Sequence, residues 1–161
     1  MGYEPSDAER VHLNRCVELA AEALDAGDEP FGSVLVSASG KVLFEDRNRT
    51  ADGDQTRHPE FEIARWAARN TAPDERAAAT VFTSGEHCPM CSAAHAWVGL
   101  GRIVYVHSSA QLTAWRTELG FPPGPVAPLP VQEVAPGIEV DGPVAALEAT
   151  MRELHIRFCE R

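Results

Sequence analysis

The segment TSGEHCPMCSAAHAW, residues 83–97, places two cysteines three residues apart at the start of a predicted helix. The run ATVFTS precedes this helix and RIVYV follows it, and both runs predict short buried strands. The strand–helix–strand unit from Thr80 to Val106 should therefore join two parallel strands through a right-handed crossover. A unit of this kind needs a sheet with a helix on its face, which indicates an α/β fold.

The rest of the chain predicts a hairpin and further helices. A capping box of Ser6 and Glu9 starts a helix that runs to about Asp25, and residues 32–48 alternate like a β-hairpin. Other helices are predicted over 58–70, 108–119 and 144–158. Three connecting segments are predicted as a loop or short turn (71–79), an irregular Pro-rich stretch (121–130) and a strand (131–140). Helices on both faces of a mixed central sheet give the predicted fold class, a three-layer α/β/α domain over residues 1–161.

The charge and the cysteine content limit the partners and the compartment. There are 14 Lys plus Arg against 24 Asp plus Glu, so the formal net charge of −10 argues against a nucleic-acid partner. No apolar run reaches the ~18 residues that suggest a membrane helix, and the polar N-terminus is unlike a signal or transit peptide. Four cysteines in such a chain need no disulfides, so we expect a reducing, cytoplasmic location with thiols free for metal.

Cys88 and Cys91 share one face of their helix, and the helix N-terminus favours their thiolate forms. With His58 they make a three-ligand zinc set that leaves a fourth position open, as catalytic zinc sites require. Glu60 lies two residues after His58, and the set matches a known pattern, H-x-E with P-C-x-x-C, in which the Glu acts on a water without binding the metal. Two alternatives are a redox cysteine pair and a structural zinc site, whose fourth ligand would be His87 or His95.

These motifs resemble those of the cytidine-deaminase-like zinc hydrolases, in the branch of cytosine, guanine and tRNA-adenosine deaminases. The resemblance runs from about Pro30 to Tyr105 and is carried by the motifs Pro30-Phe31-Gly32, Asn48, His58-Pro59-Glu60, Glu86-His87-Cys88-Pro89-Met90-Cys91 and the strand RIVYV. It implies a cytidine-deaminase-like fold, Zn²⁺ on His58, Cys88 and Cys91, Glu60 as the catalytic proton shuttle, and a homodimer. It also implies substrate contacts from Asn48 and from Phe31 in the pocket wall.

The chain departs from the family pattern at two positions beside the metal. Pro59 replaces a small residue whose backbone N–H can bond the substrate, and Pro has no such group. His87 stands where Pro is common, which adds a hydrogen-bonding side chain, and we count it among the substrate contacts. In guanine deaminases an acidic residue is expected after the strand equivalent to RIVYV, but the segment here is HSSAQL. The identity of the base therefore stays open.

The predicted function is a zinc-dependent aminohydrolase acting on a small heterocyclic amine. The substrate would be a free nucleobase or a similar ring of guanine, cytosine or aminotriazine type, and the products would be a ring carbonyl and ammonia. A nucleoside or tRNA adenosine deaminase is the alternative, although Lys41 is the only lysine. A non-enzymatic zinc protein is the second alternative. In the last helix, His155 or Phe158 would either close the active site or pack on the sheet.

Overall fold

A mixed sheet of five strands forms the centre of the molecule. The computed structural model describes residues 2–161, and the sheet order is β2-β1-β3-β4-β5. The strands are β1 (Gly32–Val36), β2 (Val42–Arg47), β3 (Thr80–Gly85), β4 (Arg102–His107) and β5 (Val140–Asp141). β1 pairs antiparallel with β2 and β3, whereas β3, β4 and β5 are parallel. The predicted hairpin and the predicted parallel unit around the two cysteines are both confirmed.

Helices cover both faces of the sheet. They are α1 (Asp7–Asp25), α2 (Pro59–Asn70), α3 (Pro73–Ala78), α4 (Pro89–Trp97), α5 (Ser109–Glu118), α6 (Val131–Val134) and α7 (Ala145–Cys159). One apolar cluster joins α1 and α7 to one face through Leu13, Val34, Val104 and Met151. A second cluster joins α2 to the other face through Ile63 and Val81. The three-layer arrangement is therefore confirmed. Within residues 2–161, no helix is both long and apolar enough to cross a bilayer.

Two connecting segments differ from their predicted structure. Residues 71–79 are not only a turn, because Pro73 begins α3 and the Glu75 carboxylate accepts a hydrogen bond from the Ala72 amide at 2.9 Å. Residues 131–140 are not one strand. They form the single turn α6 and then enter the two-residue strand β5. A distant residue decides this, since the carboxylate of Glu86 accepts a hydrogen bond from the Val131 amide at 2.9 Å.

Candidate metal centre and buried carboxylate

Two helices begin at the same edge of the sheet, and the residues that precede them carry the candidate metal ligands. His58 is the N-cap of α2 and Cys88 is the N-cap of α4, each with an extended backbone and followed by Pro at the first helical position. In the described part of the chain, neither side chain makes a capping hydrogen bond. Both side chains are therefore available for another partner. Cys91 follows one turn into α4 and faces the same space.

The three ligand atoms form a compact triangle. His58 Nδ1 lies 3.5 Å from Cys88 Sγ and 3.6 Å from Cys91 Sγ, and all three atoms lie within 4.8 Å of one another. Zinc bonds of about 2.3 Å to sulfur and 2.1 Å to nitrogen, at tetrahedral angles, place S and N about 3.6 Å apart. The spacing and the donor types therefore fit Zn²⁺.

The charges of the triangle also suit a cation. A hydrogen bond with Cys91, helped by His58, lowers the pKa of the Cys88 thiol to about 4. The same contact and burial raise the pKa of the Cys91 thiol well above its ordinary value, and the contact with Cys88 raises the pKa of His58. One negative charge is thus shared between the two sulfur atoms. A bound dication would favour the second thiolate as well.

Glu60 places a carboxylate beside this triangle. The residue is 5% exposed, and its Oε1 atom lies 2.9 Å from Ser33 Oγ and 3.0 Å from Thr83 Oγ1. Ser33 on β1 and Thr83 on β3 are directly paired in the sheet, so the sheet register sets both contacts. Burial raises the pKa of the Glu60 carboxyl group. A carboxyl group held in one orientation with a raised pKa is suited to take up and release protons.

The predicted substrate contacts fall into two groups. Asn48 follows β2 and Phe31 precedes β1, and the backbone N–H of Asn48 donates to the Phe31 carbonyl oxygen at 3.0 Å. Asn48 is 2% exposed, and its Oδ1 atom has no hydrogen-bond partner among residues 2–161. His87 is also buried, but its ring packs edge-on against His95 with ring centroids 5.2 Å apart. The structure therefore brings Asn48 and Phe31 together and directs His87 into the protein interior.

A fully protein-bound structural zinc site would need a fourth ligand. Across the described residues, the cluster of potential metal ligands contains His58, Cys88 and Cys91, and neither His87 nor His95 joins it. His95 Nε2 instead lies 2.7 Å from the Gly101 carbonyl oxygen. The geometry thus corresponds to three protein ligands and one open position, the pattern of catalytic zinc sites.

Sequence reasoning did not identify the hydroxyl groups of Ser33 and Thr83, nor a buried cluster formed by His107, Trp115 and His155. Small hydroxyl residues inside the apolar runs GSVLV and TVFTSG were a usable signal for the first pair. No sequence signal connects the two histidines, because 48 positions separate His107 from His155. They become neighbours only where α7 packs against the end of β4.

Comparisons with known proteins agree with this geometry. Residues 6–107 match the family model described as the cytidine and deoxycytidylate deaminase zinc-binding region. The chain is 31% identical over 109 residues to a probable cytosine deaminase of Schizosaccharomyces pombe, covering 68% of this chain and 66% of that protein. It is 35% identical over 95 residues to a guanine deaminase of Bacillus subtilis, covering 58% of this chain and 60% of that protein. The aligned part thus spans just under two thirds of each relative.

A solved structure supports the fold assignment. The chain superposes on a guanine deaminase from Nitrosomonas europaea with a TM-score of 0.72, covering 98% of this chain and 87% of that one at 18% identity. At 18% identity, this superposition supports the assignment of the fold only. The predicted family resemblance and the predicted cytidine-deaminase-like fold are confirmed. The zinc cofactor is confirmed too, since the matched zinc-binding region contains all three members of the ligand triangle.

Proposed function

The chain belongs to the cytidine and deoxycytidylate deaminase zinc-binding family, and from that premise we propose that it is an aminohydrolase of a free nucleobase or a similar heterocycle. Water would replace a ring amine, which leaves a ring carbonyl and releases ammonia. The observation that carries this proposal is the buried carboxylate of Glu60 next to a three-ligand metal set with an open position. A structural zinc site is closed by four protein ligands and does not require a buried carboxylate beside the metal.

Each residue of the site has a proposed role. His58, Cys88 and Cys91 hold the zinc ion, which when bound supplies a Lewis acid that lowers the pKa of a water molecule towards ~7. Glu60 takes a proton from the attacking water and delivers it to the ring nitrogen next to the reacting carbon. It then carries the second proton to the leaving amine. Because Ser33 and Thr83 both engage Oε1, we assign these proton transfers to Oε2.

The substrate contacts remain predictions that the structure supports unequally. The free Oδ1 atom of buried Asn48 is an acceptor that a ring N–H or amine can satisfy, which lowers the cost of burying it. Phe31 offers an apolar ring at the same edge. Both ring nitrogens of His87 are also unpaired among residues 2–161, but its ring packs against His95, so the structure gives it less support as a substrate contact.

Ammonia release by the zinc-loaded protein tests the proposal. The panel contains cytosine, guanine, adenine, isocytosine, an aminotriazine and the matching nucleosides, with the Glu60→Gln variant as the control for contaminating activity. Release from a free base by the parent protein, with none from the variant at equal zinc content, is the expected result. Release only from nucleosides or from tRNA would replace the proposal by the nucleoside or tRNA alternative. Silence on all substrates with one zinc per chain would reject it.

We further propose that the protein is a cytoplasmic homodimer. All four cysteines are free thiols, and two of them serve the metal set, which suits a reducing compartment. Trp97, at the end of α4, is 86% exposed, and a large exposed aromatic side chain is typical of an interface anchor. Light scattering during size exclusion would measure the mass. A mass of one chain for the parent protein would contradict the dimer.

A further inference from the structure

Two buried histidines lie at the sheet edge near Glu60. His107 is the last residue of β4 and is 1% exposed, and His155 in α7 is 2% exposed. Their ring centroids lie 5.0 Å apart with the ring planes perpendicular. The Nε2 atom of each ring is buried without a hydrogen-bond partner in the described part of the chain. A buried polar atom without a partner costs about 1–3 kcal/mol. His87 and His95 also have unpaired ring nitrogens in the described part of the chain, but His107 differs from them because it lies against Gly85 and Phe31.

Gly85 connects this histidine pair to the candidate active site. A Cβ atom at Gly85 would lie 2.7 Å from Cε1 of His107 and 2.8 Å from Cε1 of Phe31, so both rings meet over this glycine. Thr83, which contacts the Glu60 carboxylate, is two residues earlier on the same strand and therefore on the same face. Two residues along a strand span about 7 Å, a distance comparable to the length of a six-membered ring with its exocyclic groups.

The pair combines one hydrogen-bond acceptor with one potential donor. Burial lowers the pKa of His107 to about 4 and that of His155 well below its ordinary value, so both rings are neutral near pH 7. A neutral imidazole carries one N–H and one acceptor nitrogen. His107 Nδ1 lies 3.5 Å from the Ser108 carbonyl oxygen, and a ring proton on Nδ1 would leave Nε2 as an acceptor. No hydrogen bond among residues 2–161 fixes the tautomer of His155, so its unpaired Nε2 atom can carry the ring proton and act as a donor.

We propose that His107 and His155 bind the edge of the substrate opposite the reacting amine, and that they select a 4-amino-2-oxo ring of the cytosine type as the free base. This inference rests on the proposed function. His107 Nε2 would accept the ring N–H, and His155 Nε2 would donate to the neighbouring ring carbonyl. In the nucleoside of such a base, the sugar replaces that N–H and leaves the acceptor unpaired. Adenine lacks the carbonyl, and guanine does not present this N–H and carbonyl pair opposite its amine.

Binding to a variant that cannot turn over tests the pair directly. Zinc-loaded Glu60→Gln protein with ¹⁵N-labelled histidine would be titrated with cytosine, and with 1-methylcytosine as the matched ligand without the N–H. We expect cytosine to shift the Nε2 resonances of His107 and His155, while those of His12 on α1 stay unchanged. Saturable cytosine binding with no shift at either histidine would overturn the inference, and so would equal affinity for 1-methylcytosine. The absence of any cytosine binding would also overturn it.

Substitutions test the same contact through selectivity. His107→Phe removes the acceptor, and we expect the ratio of kcat/KM for cytosine to that for 1-methylcytosine to fall about tenfold to hundredfold. His107→Gln keeps an acceptor of similar reach and should recover part of the ratio, which a merely structural role would not predict. His12→Gln is the control, since His12 packs on Phe82 away from the site. An unchanged ratio in His107→Phe would reject the histidine pair.

The two proposals fail differently. A protein that releases ammonia from guanine but neither binds nor deaminates cytosine keeps its proposed function and loses this inference. A protein that releases ammonia from no base loses the proposed function, while the titration of the Glu60→Gln variant still reports whether the histidines bind a cytosine-type ring.

Discussion

Two buried polar clusters lie side by side at one edge of the sheet, and they differ in whether their polar atoms have hydrogen-bond partners. In the first, the atoms of His58, Cys88 and Cys91 contact one another, and the carboxylate of Glu60 contacts two hydroxyl groups. In the second, His107 and His155 each leave a ring nitrogen unpaired within residues 2–161. The first cluster is thus organised before any substrate arrives, whereas the proposed ligand would complete the second. Preorganised groups suit the chemical step, and unpaired groups suit recognition.

The largest effect is expected when the carboxylate that carries protons in the first cluster is replaced. Glu60→Gln keeps the size and the polar contacts of the side chain but cannot accept a proton. We expect ammonia release to fall about 10²–10⁴-fold, the range of general acid–base catalysis, with zinc content unchanged. Steady-state assays together with metal analysis would measure both. Activity within a few-fold of the parent would show that another group moves the protons.

Acid titration addresses the second cluster. The pKa of His107 is depressed to about 4 in the folded protein, against about 6.5 in the unfolded chain. The unfolded state therefore binds more protons between these values, and the stability that is present above pH 6.5 is lost as the pH falls towards 4. For His107 alone this amounts to about 3 kcal/mol. His155 adds to the loss in the same direction, since burial, and after it the charges of His107 and Arg116, lower its pKa.

The measurement is the free energy of unfolding at pH 7 and at pH 4.5 for the parent and for His107→Gln. The variant should lose less stability than the parent over this interval. Equal losses in both proteins would mean that His107 does not titrate as a buried neutral ring.

Gly85→Ala tests whether the two clusters share one close-packed wall. The added methyl group would meet His107 and Phe31 at less than 3 Å. We expect a destabilisation of about 1–3 kcal/mol and displacement of both rings. Gly124→Ala is the matched control, because no atom lies within 4 Å of its added methyl group. Thermal unfolding compares the two variants, and equal midpoints would show that the space over Gly85 is loose.

The smallest expected effect comes from one of the hydroxyl groups that hold the carboxylate. Thr83→Val keeps the shape of the side chain and removes one contact to Glu60 Oε1, while the contact from Ser33 stays. A hydrogen bond of this kind contributes about 1–1.5 kcal/mol, so kcat should fall about tenfold. The pH profile of kcat should also shift upwards, since the carboxylate loses a donor that favours its charged form. A pH profile identical to that of the parent would separate Thr83 from the titration of Glu60.

Sequence motifs predicted the candidate metal ligands because they match a known family pattern, although His58 and Cys88 lie 30 positions apart. Each ligand lies at a helix start that a short motif predicts. The motif is His58-Pro59 for α2 and Cys88-Pro89 followed by Cys91 for α4. Alternating apolar residues predicted the hairpin of β1 and β2, short apolar runs predicted β3 and β4, and the capping box of Ser6 and Glu9 predicted α1. The helix starts and the strands depend on residues that are close in sequence, so periodicity and capping are enough to predict them.

Tertiary structure decided the rest, because the contacts join positions that no local pattern connects. The pairing of Ser33 with Thr83 depends on sheet register across 50 positions, and the turn of α6 depends on Glu86, 45 positions away. The meeting of His107 with His155 depends on where α7 packs against the end of β4. A sequence determines which side chains are apolar, charged or able to bind a metal. Which of them become neighbours follows from how strands pair and helices pack, since those contacts form only when the whole sheet is assembled.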